Sequence, residues 1–397
     1  MKILFLTSEM PYPPHFGGAK IVSYQIMKAL HKAHEIHLLS FVDNEDELKF
    51  ADALKEVTVT RRFILRKPHH SPRPLWALYN PYRSYKTDEV RQALAEMIAE
   101  NRFDMVHSDA PMAVYINDLP DDLAKIVCPT DSRTLAQVPN MRNAKDPRSF
   151  IVAFYRFYSF RNFERSFYRR FNACLAVTKE GGGYLGKLCP GLKIGVIPNA
   201  VDVEYFKPSD MPIDPNTLVF TGTMDYAPNI DAVIYFTKKI MPLVKKKRSQ
   251  IKFFIVGRNP VPEVKMLANE PNVIVTGDVD DIRKYLAQAA VFVCPVRLGT
   301  GIKNKVLEAM AMGKAIVLTS ISAQGINAQD GQDFITADTS EKFADNVLNV
   351  LENKTRREQM GRAAREVVVK KYVFDIIGKK YEDFYGSIIN RSSKFVS

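Results

Sequence analysis

Residues 299–308 read GTGIKNKVLE, and four of them, Gly299, Gly301, Lys305 and Glu308, have side chains or backbone freedom that can do chemistry. Gly299 and Gly301 flank a turn, a helix follows, and Lys305 and Glu308 lie three positions apart on one face of that helix. Glycine lets the backbone approach a ligand closely, and the start of a helix points its N–H groups outward. A lysine near that start can reach a diphosphate, helped by the helix dipole. A carboxylate one turn further can accept two hydrogen bonds from the vicinal hydroxyls of a ribose. The plainer alternative is an exposed Lys–Glu pair, worth only tenths of a kcal/mol. Val306, Leu307, Ala309, Met310 and Met312 surround the two charges, which predicts a largely buried helix where unpaired charge is costly. The stretch therefore predicts a cradle for a phosphorylated, hydroxyl-rich ligand.

Such a cradle must be carried by strands that end beside it. Short apolar runs at Lys2–Thr7, 35–40, 103–107, 125–128, 174–177 and 194–197 alternate with amphipathic stretches, among them a helix over 19–32. A second series runs through 218–220, 252–256, 273–275, 291–293 and 315–318. Both predict open, mostly parallel sheets covered by helices, with ligands bound beyond the carboxyl ends of the strands. In the second series glycine recurs at these ends: Gly222-Thr223, Gly257-Arg258, Gly277 shortly before Val279, and Gly299–Gly301. In the first series, Gly17 and Gly18 join the first strand to its helix. The expected organisation is a first domain over 1–199, a linker rich in proline and acid over 200–216, a second domain over 217–370, and an amphipathic helix over 371–397 that packs back on the first domain.

Several classes are disfavoured. No G-x-G-x-x-G follows the first strand, and GTGIKNK lacks the spacing of a phosphate-binding loop of nucleoside triphosphatases. The four cysteines are scattered, without metal-ligand spacing, so no metal site is expected. No apolar run reaches the length of a membrane span, and the one at the N-terminus is too short for a signal peptide. A cytoplasmic protein with reduced thiols is the expectation. Among 397 residues the formal net charge is +12, which favours anionic partners.

Six segments, in order, carry a family resemblance: VIPNAVDVEYFKP (196–208), FTGTMDYAPNIDA (220–232), FIVGRNP (254–260), VTGDVDDIRKYLAQAAVFVCP (275–295), KVLEAMAMGKAIV (305–317) and the Gly-Gly loop after the first strand. Together they resemble the retaining, nucleotide-sugar-dependent glycosyltransferases of family 4, and within them the sugar transferases of bacterial exopolysaccharide clusters. The resemblance implies a GT-B fold, two facing Rossmann-like domains with an interdomain cleft. It implies transfer of a sugar from a nucleoside-diphosphate sugar, with retention, to a glycan or polyprenyl-diphosphate-linked acceptor. The co-substrate is then the nucleotide sugar, with no cofactor and no metal strictly required.

By that resemblance the donor is held by Gly222, Thr223, Gly257, Arg258, Val279, Arg297, Gly299, Thr300, Gly301, Lys303, Lys305 and Glu308, while Gly17 and Gly18 form an acceptor or phosphate loop. Glu308 matches the family's ribose-binding acid. The family's first acid falls on Thr300, and its Arg and Lys after the first strand of the second domain are absent; Arg297, Lys303 or Lys305 would supply that charge. Asp131 stands nearest the family's histidine after a central strand, and with Lys305 and Glu308 makes the expected catalytic set. Its plainer role is a helix cap. A GT-B-like nucleotide-sugar epimerase and a basic lipid- or nucleic-acid-binding module are the alternatives. Residues 154–171, FYRFYSFRNFERSFYRRF, interleave rings with arginines. They read either as a core helix with a basic face or as a contact with the anionic inner face of the membrane; no nucleic acid is expected.

Overall fold

The computed structural model describes residues 1–12, 18–67, 80–142, 144 and 146–392. The chain forms two units, Met1–Ala200 with Phe374–Ser397, and Val201–Val373.

In the first unit the strands are β1 (Lys2–Thr7), β2 (Glu35–Val42), β3 (Thr60–Leu65), β4 (Met105–Asp109), β5 (Ala124–Thr130), β6 (Ala173–Ala176) and β7 (Lys193–Val196). They form one parallel sheet in the order β3-β2-β1-β4-β5-β6-β7. The helices are α1 (Gly18–Leu30), α2 (Asp88–Glu100), α3 (Gln137–Arg142), α4 (Pro147–Phe167) and α5 (Lys179–Leu188). Strand alternation divides the core between the two faces of the sheet. Leu4 and Leu6 join Leu94 and Met97 of α2 on one face, and Ile3 and Phe5 join Ile26 and Met27 of α1 on the other.

The C-terminal helix, Phe374–Ser392, completes that second face. Ile377, Tyr381, Tyr385 and Ile388 recur at helical spacing and are all buried there. Gly378 lies so close to the Ala29 carbonyl that any side chain would collide with it. His107 of β4 stacks on Phe5 and bonds through Nδ1 to the Tyr385 hydroxyl at 2.5 Å.

The second unit holds β8 (Asp214–Thr221), β9 (Lys252–Val256), β10 (Val273–Gly277), β11 (Ala289–Cys294), β12 (Ala315–Leu318) and β13 (Ile335–Thr336), parallel in the order β10-β9-β8-β11-β12-β13. Its helices are α6 (Ala227–Tyr235), α7 (Met241–Lys247), α8 (Pro262–Lys265), α9 (Ile282–Gln288), α10 (Asn304–Ala311), α11 (Ser320–Ala323), α12 (Ser340–Glu352) and α13 (Lys354–Lys371). The chain passes between units at Ala200 and Val201. β8 begins at Asp214, which pairs with Ala289, so the end of the segment read as linker is strand.

In each sheet the strand order reverses once, between β1 and β4 and between β8 and β11. Just outside the carboxyl ends at such a reversal, the loops to either side part and leave room for a ligand.

Candidate functional site

In the second unit the reversal point is occupied by Gly222 and by the stretch 299–308. β8 ends at Thr221 and runs into Gly222; β11 ends at Cys294, and its loop leads to α10. Thr319 and Ser322, at the start of α11, bond to the Val296 and Cys294 carbonyls and so fix where that loop departs. Gly299 and Gly301 adopt φ of 87° and 81°, which turns the loop back toward the sheet in a conformation glycine takes without strain.

Lys305 then reaches across the reversal point. Its ammonium donates to Asn229 Oδ1 of α6 at 2.7 Å and lies 4.0 Å from the centre of the Phe220 ring. Asn229 in turn donates to the Thr223 carbonyl at 2.8 Å. Gly222, at φ 154°, leaves the space the ammonium fills; a Cβ there would run into Lys305 Nζ. Gly257, at φ 150°, likewise admits the Gly222 carbonyl, and the Arg258 backbone carbonyl accepts from the Met224 N–H at 2.8 Å. The glycines at the ends of β8 and β9 thus pack backbone on backbone.

Glu308 sits one turn beyond Lys305, half-buried like it. Its carboxylate forms no ion pair among the described residues, and the Lys305 ammonium bonds to Asn229 and keeps further N–H donors. Burial pushes the carboxyl up to about 7, against a weaker pull from Lys305, and pushes the Lys305 ammonium down to about 8. Both side chains keep an edge in water, which offsets part of each shift without changing its sign. An acid and a base are held here with their proton affinities drawn toward one another, without a salt bridge between them.

The two helices that follow β8 and β11 share a further feature. Thr87, Asp146, Thr178, Asp281, Thr339 and Asn353 each cap a helix with a side-chain oxygen. Tyr226, which begins α6, and Lys303, which begins α10, provide no side-chain cap. Helix starts left without such a cap beside an open reversal point are suited to an anion.

The other expected donor residues divide. Lys303 turns its ammonium onto the Gly301 and Thr300 carbonyls, at 2.7 and 3.3 Å. Thr300 stands where the family acid was expected and contributes that carbonyl. Arg297 is held by both oxygens of Asp231, at 3.0 and 2.6 Å, and lies over the Tyr235 ring at 3.9 Å. It braces the β11 loop against α6. Val279 follows Gly277 and Asp278 beyond β10. Asn229 is a site residue that the sequence reading lacks; its signal is its place in segment 220–232, in the first turn of a helix that follows a strand-end glycine. Tyr205 lies close enough to feel the charge of Glu308, and its ring is covered by Arg283 at 3.9 Å.

In the first unit, Asp131 follows β5. It is buried, and its carboxylate accepts from the Ser132 N–H at 3.1 Å and from the Thr178 hydroxyl at 2.6 Å. Thr178 caps α5, and Gly181 in the first turn of α5 makes room for the carboxylate. Asp131 therefore ties the end of β5 to the start of α5. Asp109, at the end of β4, is buried and pushed up to about 6 by desolvation, while it accepts from the Ser8 N–H and hydroxyl, both at 2.6 Å. Gly17 lies outside the described residues; Gly18 opens α1. Among the described residues no cluster of three or more His, Cys, Asp or Glu could hold a metal ion.

Residues 215–353, which hold the site around Lys305 and Glu308, match the family model of glycosyl transferases group 1. A protein of Klebsiella pneumoniae, described as an uncharacterized 44.6 kDa protein in the cps region, is 20% identical over 387 residues, spanning 94% of this chain and 96% of that one. Among solved structures, sucrose-phosphate synthase from Thermosynechococcus elongatus superposes with a TM-score of 0.72 at 13% identity, over 98% of this chain and 100% of that one. HepE of Anabaena, in complex with UDP and glucose, does so with a TM-score of 0.66 at 15% identity, again over 98% and 100%. The two parallel-sheet units are thus those of the GT-B fold, and the second of them carries the segment similar to group 1 glycosyl transferases.

Proposed function

We propose that the protein is a glycosyltransferase that moves a sugar from a nucleoside-diphosphate sugar to a glycan or lipid-linked acceptor, with retention at the anomeric carbon. The observation that carries this reading is the pairing of Lys305, anchored on Asn229 in the gap left by Gly222, with the half-buried Glu308 carboxylate one turn away. The similarity to a protein of a cps region and to structures holding UDP with glucose or UDP-glucose supports a hexose donor and a role in polysaccharide synthesis.

In this reading Glu308 accepts hydrogen bonds from the ribose. Lys305 and the N–H groups at the starts of α6 and α10 stabilise the diphosphate. The demanding moment is departure of that diphosphate, when negative charge builds on its leaving oxygen. A fixed ammonium and fixed N–H dipoles stabilise charge there without having to reorganise. The acceptor hydroxyl then attacks the face that the diphosphate left and gives its proton to the departing diphosphate oxygen, which gives retention. Asp131 serves by holding the loop after β5 in place.

A thermal-shift screen across nucleoside diphosphates and their sugars tests the donor site, because a ligand at a hundred times its Kd adds about 2.7 kcal/mol of stability. One nucleotide is expected to raise the midpoint of the wild type, and Glu308→Ala to abolish the rise. Stabilisation by none, or an equal rise in the variant, would remove the assignment. With donor and acceptor together, release of free nucleoside diphosphate separates transfer from epimerisation. The anomeric coupling constant of the product reads retention directly.

A further inference from the structure

Helix α4 presents an apolar face to solvent. Ala153, Ser159, Phe163 and Glu164 are its buried side. Glu164 fixes the rotation: its carboxylate accepts from the Ser132 and Thr134 hydroxyls at 2.9 and 2.6 Å and from the Arg133 N–H at 2.7 Å. At 3.6 residues per turn, positions 151, 154, 158 and 165 then fall opposite the centre of that buried side, with 150 and 161 on its flank. Such a face is ordinarily polar. Here Phe150 is 45% exposed, Ile151 64%, Phe154 46% and Tyr158 42%, followed by Arg161 and Arg165. The rings line up along the helix, with centroids 6.1 Å apart for Phe150–Phe154 and 4.7 Å for Phe154–Tyr158.

The sequence reading centred this feature on residues 154–171. The structure moves its apolar part upstream, because Phe163 and Tyr168 are core residues and Phe160 and Phe167 pack against them.

The charge around the ridge is one-sided. Arg142, Arg148, Arg156, Arg165, Arg169 and Arg170 are exposed. The acids between 137 and 171 are Asp146, which caps α4, and the buried Glu164. Elsewhere Arg62, Arg91, Arg283 and Arg297 all find carboxylates. Arg148, Arg156, Arg161, Arg165 and Arg169 form no ion pair among the described residues.

We infer that this face of α4 docks the protein on an anionic lipid surface, with Phe150, Ile151, Phe154 and Tyr158 at the boundary between headgroups and acyl chains and the arginines on lipid phosphates. An apolar ridge flanked by arginines without carboxylate partners matches that boundary on both counts. A second copy fits less well, since it would bring a formal charge of +12 and the same exposed arginines to that face. Single-stranded nucleic acid needs open ring faces to stack on, and here the rings pack along one another. No helix of the described residues is long and apolar enough to cross a membrane, so the contact is peripheral. It does not depend on which reaction the second unit performs.

Flotation of the full-length protein tests this, using vesicles in which phosphatidylglycerol makes up about a third of the lipid and vesicles of phosphatidylcholine alone. Binding is expected to the first and not the second, and to weaken at high salt. Ile151→Ser, at the most exposed position, and the pair Phe154→Ser with Tyr158→Ser are each expected to weaken it about tenfold. Arg161→Gln with Arg165→Gln should weaken it about fivefold per arginine, the factor equal to about 1 kcal/mol. The nucleotide-induced thermal shift reads the second unit and should not change in these variants. Wild type that stays unbound, variants that bind as the wild type does, or a wild-type dimer made monomeric by Ile151→Ser would overturn the proposal.

Discussion

Lys305 and Glu308 make the site's protonation testable at the scale of single residues. Ribose hydroxyls donate to an ionised Glu308, and a diphosphate is held by a charged Lys305. Burial sets the first near 7 and the second near 8, so both groups carry the needed charge in the window between. Nucleoside diphosphate affinity, measured by titration calorimetry, should peak there. It should fall by up to about tenfold per pH unit on the acid side as Glu308 protonates, and again on the alkaline side as Lys305 loses its proton. Stability of the ligand-free protein runs the opposite way. Glu308 is raised from 4.5, so between 4.5 and about 7 the folded state binds more protons and stability falls as pH rises. Lys305 is lowered from 10.5, so from about 8 to 10.5 the unfolded state binds more protons and stability climbs with pH. The empty protein is therefore least stable where it binds best. Glu308→Gln should gain about 1 kcal/mol near pH 7.5, after discounting for water at the exposed edge, while it loses nucleotide affinity and the acid limb of the profile. A variant that is less stable and still shows the acid limb would assign that limb to another group.

At the scale of elements, the starts of α6 and α10 make the same trade. Lys303→Ser places a side-chain oxygen at the first position of α10 and should add roughly 1 kcal/mol of stability by capping its N–H groups. The same cap competes with the diphosphate, so affinity should fall. Lys303→Ala removes the ammonium and adds no cap, and the difference between the variants isolates the cap. Equal affinities in the two would mean that the α10 N–H groups do not meet the ligand. Which elements were legible in the sequence follows the same physics. Central parallel strands are apolar on both faces, so β1, β9 and β12 announce themselves as short apolar runs. β3, with Arg61 and Arg62 in TRRFIL, lies at the sheet edge and gives no such run. The Lys305–Glu308 spacing could be read because helix geometry fixes it locally. The grip of Asp231 on Arg297 could not, because it joins residues 66 positions apart and takes away a cation that the sequence offered to the ligand.

At the scale of the whole molecule, the chain begins and ends in one unit and folds the other between, each around its own sheet. Donor binding and the C-terminal helix then act on different cooperative blocks, and calorimetry should resolve two transitions rather than one. A nucleoside diphosphate should raise the transition of Val201–Val373 alone. Tyr385→Phe should lower only the other. It removes the hydroxyl that meets His107 and leaves a buried ring nitrogen without a partner, at a cost of about 1–3 kcal/mol. His107 is held down to about 3 by burial, so it stays neutral and cannot recover the loss by taking up a proton. For a unit of about two hundred residues this is a drop of roughly 2–4 °C per kcal/mol. If the ligand and Tyr385→Phe move the same transition, the two units unfold as one block, and the stability of the C-terminal helix is then coupled to occupancy of the donor site.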